Sequence, residues 1–446
     1  HMAISAVPGS GKTLTLALLA AKLIVEGRLE PTSEVLVVTV QNSAVDNIAS
    51  RIRRILSEQR LPPVGYRVCT LHKLASDILR QRLDLAGLSE DLDIVDEAES
   101  RRMMRNAAEI WLLQHADWWQ SFLPADWAGD RAKIADGWLK ETVEIGLEVS
   151  KLCKHLRLSP EKAQALVASP EAEADMARIG VALYALYDRH LRNRGGVDFD
   201  DLIWRAIDAL EQDESFCLNL RRRWPFVLED EAQDSSPLQE NILQRLCGAE
   251  GNWVRVGDPN QAINATFTAA DPRYFRRFLD CATTRALTLP ESGRCARPII
   301  ALANALVAWG ASEHPEAAVR QMAFERQEIE PTRPDDPQQN PTDEECHLHI
   351  LAQPFAKVDE EAARVATWAA HYLARHPQHS VAILCPAGWQ GLEVVKQLKA
   401  MPNVPFEDLL QTTPEARNAA RLLGAVCRYV GDPTSERPLE QLLREL

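Results

Sequence analysis

Apolar positions in this chain follow two patterns. Short continuous runs occupy residues 2–6, 35–40, 66–71, 224–228 and 253–256, and residues 14–25, 44–56 and 72–83 repeat apolar side chains at helical spacing. The run at 35–40 is β-branched and unbroken, the form of a strand buried on both faces of a parallel sheet. Strand, helix, strand, helix, strand, helix is the order that builds such a sheet. From about 83 to 194 the strand-like runs vanish and the period is helical, which predicts a helical insertion between strands. Its tryptophans (Trp111, Trp118, Trp119, Trp127 and Trp138) read as the core of that insertion rather than as a stacking platform. Residues 197–202 then head a helix, and residues 328–345, with four prolines among acids and glutamines, read as a flexible surface excursion. A second α/β pattern follows: strand 347–352, helix 360–375, strand 380–386 and helix 391–400, with final helices at 415–430 and 439–446.

Composition narrows this picture only slightly. A chain of 446 residues, 46% hydrophobic and 26% charged, is expected to form two to four globular domains. No apolar run approaches a bilayer span, no secretory leader opens the chain, and nine cysteines lie scattered without a CxxC, so a cytoplasmic location without a membrane is expected. A net charge of -14 excludes a broadly basic coat for nucleic acid but leaves room for a local basic groove. A doubly wound domain rarely begins at its first strand, so further residues are expected upstream.

The chemistry begins where the first strand ends. Residues 6–13, Ala-Val-Pro-Gly-Ser-Gly-Lys-Thr, stand between a strand and a helix, the context a phosphate-binding loop requires. Gly9, Ser10 and Gly11 let backbone N–H groups close around phosphate oxygens, Lys12 reaches the β/γ oxygens, and Thr13 offers a hydroxyl to Mg2+. Further on, the strand at 224–228 runs into Glu229, Asp230, Glu231 and Asp234 at the sheet edge where open α/β folds place ligands. There Asp230 can hold Mg2+ and Glu231 can take a proton from water. The third strand end offers Gln261, and Arg294 stands ahead of a helix as a candidate for stabilising transferred charge. Asp198, Asp200 and Asp201 at a helix start fit N-capping.

In this order, the loop, the insertion, Asp230-Glu231-Ala232-Gln233-Asp234, Gly257-Asp258-Pro259-Asn260-Gln261 and Ser292-Gly293-Arg294-Cys295 resemble superfamily 1 DNA helicases of the UvrD/Rep/PcrA type. The resemblance implies an α/β fold: a RecA-like P-loop domain with a parallel sheet (1–82 and 196–283), a large helical insertion (83–195), an incomplete second RecA-like domain (284–430) and the start of a further helical subdomain (431–446). It implies ATP and Mg2+ as cofactors, with Glu231, Gln261 and Arg294 catalytic and Thr13 and Asp230 on the metal. It also implies single-stranded DNA or single/double-strand junctions as partners, alongside repair or replication proteins. Thr39, Asn42, Thr70, His72 and Phe267 fall where such proteins touch the strand, and residues 198–201 match a further family motif. The implied activity is ATP-dependent translocation and unwinding, 3′ to 5′; the alternatives are a nucleotide-gated scaffolding subunit and the motor subunit of a helicase–nuclease. Departures from the pattern are Val40 and Leu71 in place of aromatics, Asn264 in place of a tyrosine, Thr266 and Phe267 in place of an aromatic–arginine pair, and Gly293 where the family stacks a tyrosine on adenine.

Overall fold

A computed structural model describes residues 1–86, 88, 93–115, 131–168, 175–262, 271–351, 354–401, 404–410, 422–423, 426–427 and 429–430. Two compact units emerge, His1–Leu348 and His349–Leu446. In the first, β1 (Met2–Ala6), α1 (Lys12–Val25), β2 (Val35–Thr39), α2 (Asn42–Glu58), β3 (Tyr66–Thr70) and α3 (Leu71–Leu79) follow one another as the apolar pattern predicts. Asn42 and Ser43, expected in a turn, already belong to α2.

The insertion opens with α4 (Leu83–Ala86) and the two-residue β4 (Asp93–Ile94). It continues through α5 (Glu97–Gln114), α6 (Arg131–His155), α7 (Pro160–Val167) and α8 (Asp175–Asn193), and it closes on β5 (Gly196–Val197). β4 and β5 pair in parallel, so the two chain crossings lie side by side. Val95, Met104, Trp111, Ile179, Leu183 and Tyr187 form a core of the insertion's own. Trp111 is therefore a packing residue, as expected; Trp118, Trp119 and Trp127 lie outside the described residues.

The sheet resumes after α9 (Phe199–Gln212) and α10 (Glu214–Arg223) with β6 (Phe226–Glu229), a 3-10 turn at Ala232–Asp234, α11 (Pro237–Cys247), β7 (Asn252–Gly257), α12 (Pro272–Leu279) and β8 (Arg285–Leu289). Six parallel strands take the order β3-β2-β6-β7-β1-β8. Period-2 alternation sorts each buried run between two cores. Leu36, Val38, Val227 and Trp253 face α3, α9 and α11, whereas Val35, Val37, Leu228, Val254 and Val256 face α1 and α2. At about 25 cal/mol per Å2 of apolar surface, two such layers are the main source of this unit's stability.

The boundary expected at 283/284 needs correction. β8 lies beyond it, yet pairs with β1 from Met2↔Arg285 to Ala6↔Leu289. Four of its five residues are exposed, so this edge strand carries no apolar signature, and only its ladder identifies it.

After β8 come β9 (Glu291–Ser292), α13 (Arg297–Ser312), α14 (Ala317–Met322) and β10 (Glu330–Pro331), with β9 and β10 paired in parallel. The excursion at 328–345 is exposed as expected, but it is tethered. Asn340 Nδ2 donates to the carbonyls of Ser292 (2.5 Å) and Cys295 (2.8 Å), a role that composition does not reveal.

In the second unit, α15 (Val358–Arg375) packs on α16 (Gly388–Lys399) through Ala362, Ala366, Val394 and Leu398. The strands expected at 347–352 and 380–386 carry no ladder among the described residues. Ile383 and Cys385 cover the helix pair while Leu384 between them is 93% exposed. The alternation is therefore that of a strand, without the hydrogen-bonded neighbour that defines one. The helices expected at 415–430 and 439–446 fall almost wholly outside the described residues. No helix among the described residues is long and apolar enough to cross a membrane.

Candidate active site

The C-terminal ends of β6, β7, β1 and β8 lie side by side, and each contributes to one site. After β1 the backbone turns through Gly9 and Gly11, at φ 81° and 85°, a region that favours glycine. Ser10 Oγ closes the turn on the Val7 carbonyl at 2.8 Å, and Gly11 caps α1 with no side chain across its first N–H groups. Those N–H groups and the helix dipole make a site for an anion. Gly9 has a second constraint: a Cβ there would stand 2.6 Å from Arg294 Cβ and 2.7 Å from Ser292 Oγ. Arg294, itself exposed, is thereby seated against the loop.

Lys12 and Thr13 open α1 and meet the acids that follow β6. Lys12 Nζ lies 3.4 Å from Glu231 Oε2, and Thr13 Oγ1 donates to Asp230 Oδ2 at 3.4 Å. Asp230 is 3% exposed, and its carboxyl is pushed up to about 6 by burial first and by the Glu231 charge second, against the pull of Lys12. Glu231 adopts a left-handed conformation, φ 52° and ψ 46°, which costs a side-chain-bearing residue about 1–2 kcal/mol. That turn lifts its carboxylate off the β6 axis towards Lys12.

From Glu231 a relay of side chains reaches the third strand end. Gln233 Nε2 donates to Glu231 Oε2 (2.9 Å), and Gln233 Oε1 accepts from the Asp258 N–H (3.0 Å). Gln261 Nε2 donates to Asp258 Oδ2 at 2.6 Å. Gly257 makes room for the relay, since a Cβ there would lie 2.6 Å from Gln233 Oε1. Burial also raises the Asp258 carboxyl. Asn260 extends the chain: its side chain pairs with the Glu325 backbone, accepting from N–H at 2.7 Å and donating to C=O at 3.0 Å.

The acid run after β6 divides its duties. Glu229, expected to be part of the same acidic edge, is instead a buried support. Arg255 Nε meets it at 2.8 Å, Trp253 Nε1 donates to it at 3.1 Å, and both charged partners are at most 1% exposed. Arg255 also lies over the Trp253 and Phe278 rings, 4.7 and 4.9 Å from their centroids. Sequence reasoning missed this pair. Its only signal was an arginine at an inward position of a buried strand.

The residues expected to touch nucleic acid stand at the other half of the same edge, after β2 and β3. Thr39 and Thr70 are register partners, Thr70 caps α3, and Asn42 and His72 occupy first helical turns. One correction is needed here: the Thr39 side chain is 2% exposed and stands behind that surface rather than on it. Phe267, Asn264 and Thr266 lie outside the described residues. Phe199 was not singled out from sequence, yet it is 42% exposed and its ring meets that of His72 at 5.2 Å and 62°. An aromatic inside the acidic run 198–201 was the available signal. At position 293, a Cβ would stand 2.5 Å from the Gln338 carbonyl oxygen, so the place of the family's tyrosine is filled by backbone.

The model of the UvrD/REP helicase N-terminal domain matches residues 1–282. ATP-dependent DNA helicase UvrD1 of Mycobacterium tuberculosis is 29% identical over 315 residues, which are 68% of this chain and 37% of that protein. ATP-dependent DNA helicase Rep of Escherichia coli is 25% identical over 304 residues, 67% and 40% of the two chains. ATP-dependent DNA helicase PcrA of Leuconostoc citreum is 25% identical over 317 residues, 68% and 36%. The chain matches well under half the length of these curated relatives.

Proposed function

The chain belongs to the UvrD/REP helicase family, and on that premise we propose that it hydrolyses ATP to move along single-stranded DNA and open duplexes, 3′ to 5′, in replication or repair. The meeting of Lys12 with Glu231 and of Thr13 with Asp230 carries this reading, because it joins a phosphate cradle after β1 to a carboxylate pair after β6 at the same edge of the sheet, with β7 between the two strands. In the proposed mechanism the loop N–H groups and Lys12 bind the β- and γ-phosphates, which draws the ammonium off Glu231. The freed Glu231 orients the attacking water and accepts its proton. Gln261 faces the γ-phosphate and passes its presence through Asp258 and Gln233. Arg294, seated on Gly9, supplies positive charge to the transferring group.

The residues present fit Mg2+. Asp230 is a buried acid that accepts from the adjacent Glu231 N–H at 3.2 Å and from the Thr13 hydroxyl at 3.4 Å, and no group of three or more His, Cys, Asp or Glu encloses a metal by itself among the described residues. Such a half-site suits an ion that takes its remaining ligands from phosphate and water. Thr13 and Asp230 would hold it, and when bound it neutralises charge on the phosphates.

Asn42, Thr70, His72 and Phe199 form the strand-binding edge of the proposal. Phe199 offers a stacking face where Val40 and Leu71 offer none; such stacking is worth roughly 1–3 kcal/mol per base. Residues beyond β8 begin the incomplete second RecA-like domain of the proposal. The test is steady-state ATP turnover with and without an oligothymidylate. Stimulation by the strand, abolished in Lys12→Ala, supports the motor. Turnover indifferent to DNA sinks it and favours a scaffolding subunit.

A further inference from the structure

The helical insertion meets the sheet through one charged turn. Lys154 and His155 close α6, and Arg157 follows at φ 54°. Lys154 is 1% exposed, and its ammonium donates to Asp198 Oδ2 at 2.5 Å and Asp201 Oδ2 at 2.8 Å. Tyr187 on α8 donates to the same Asp198 oxygen at 2.9 Å. His155 Nε2 lies 3.2 Å from Asp200 Oδ1. Arg157 reaches Asp208 and Glu211 farther along α9, both at 2.6 Å. Five acids of α9 and its cap are thus met by one turn of the insertion.

Burying charge in this way returns little net stability, because desolvation offsets the attraction. Its effect is geometric. Asp198 and Asp201 are the two halves of the α9 capping box: the Asp201 N–H donates to Asp198 Oδ1 (3.0 Å) and the Asp198 N–H to Asp201 Oδ2 (3.4 Å). Lys154 therefore grips both carboxylates that set where α9 starts. Phe199 stands between them with its ring on His72. Burial holds the His72 imidazole below its usual pKa, against the Asp200 charge, which favours the uncharged ring where it faces Phe199.

We propose that Lys154 and His155 are positioning residues for the strand-binding edge: through them the insertion fixes the rotation of α9 at which Phe199 and His72 grip a base. This rests on the reading of that edge as the DNA site, and it adds that the insertion governs the grip. The partners of Lys154 are Asp198, Asp201 and Tyr187, none of them in the phosphate loop, so a shift of the insertion is felt at the strand and not at ATP.

The test is a double-mutant cycle on oligothymidylate affinity, read by fluorescence anisotropy, with Phe199→Ala, Lys154→Met and both together. Each single variant is expected to weaken binding about tenfold. The double variant should bind no more weakly than the worse single, and ATP affinity without DNA should be unchanged in Lys154→Met. Equal weakening by Lys154→Met in both backgrounds, or no weakening at all, overturns the inference while leaving the edge intact. Unchanged affinity in Phe199→Ala removes the edge, and the inference with it. If Lys154→Met does not fold, His155→Leu takes its place in the same cycle, because its partner Asp200 is a quarter exposed and tolerates the loss.

Discussion

Two runs of acids, Glu229-Asp230-Glu231 after β6 and Asp198-Phe199-Asp200-Asp201 at α9, look alike in sequence and behave differently in the fold. In the second, an ammonium, an imidazole and a phenol arrive from the insertion and occupy the carboxylates. In the first, Arg255 occupies only Glu229. Asp230 is left with the Glu231 N–H at 3.2 Å and a hydroxyl at 3.4 Å, and Lys12 lies on its half-buried neighbour Glu231. Acidity does not separate the two runs, because burial pushes Asp230 and Asp201 alike up to about 6. Partners do. A buried acid with its cation in place is architecture, and a buried acid still short of one is prepared for a ligand.

The largest expected effect lies in the run with its cation in place. Lys154→Met leaves Asp198 and Asp201 facing each other without a cation, and denaturant unfolding should report a loss of about 3–5 kcal/mol. The opposite sign is expected at the other run. Ionised Asp230 is disfavoured in the fold, so its penalty is complete above about pH 6 and gone below the ordinary carboxylate value. Asp230→Asn should therefore stabilise the ligand-free protein by about 2–3 kcal/mol at pH 8, with the gain shrinking to nothing near pH 4. Loss of stability in Asp230→Asn at pH 8 would erase the contrast. The smallest effect belongs to Asp200→Asn, whose side chain is 25% exposed: about 1 kcal/mol, with ATP affinity unchanged in equilibrium binding.

Much of this was legible in advance. The buried runs at 35–40 and 226–228 and the glycines at 9 and 11 state the parallel sheet and its loop because strand period and φ are local properties. What escaped is long-range. β8 is exposed and known only by its partner β1; the Glu229–Arg255 pair joins two strands; Lys154 meets Asp198 across 44 residues. Thr39 was assigned to the strand-binding surface by motif position, and its burial depends on packing that the motif does not encode. The strand pattern at 380–386 was read correctly as alternation, but alternation fixes which way side chains face and says nothing of a hydrogen-bonded neighbour.

The central claim is that the acids after β6 perform the chemistry at the Lys12 loop. Single-turnover ATP hydrolysis by Glu231→Gln, with single-stranded DNA saturating, tests it most directly. The account predicts retained ATP binding and hydrolysis slowed by at least ~100-fold; hydrolysis within a few-fold of the unaltered protein would contradict it.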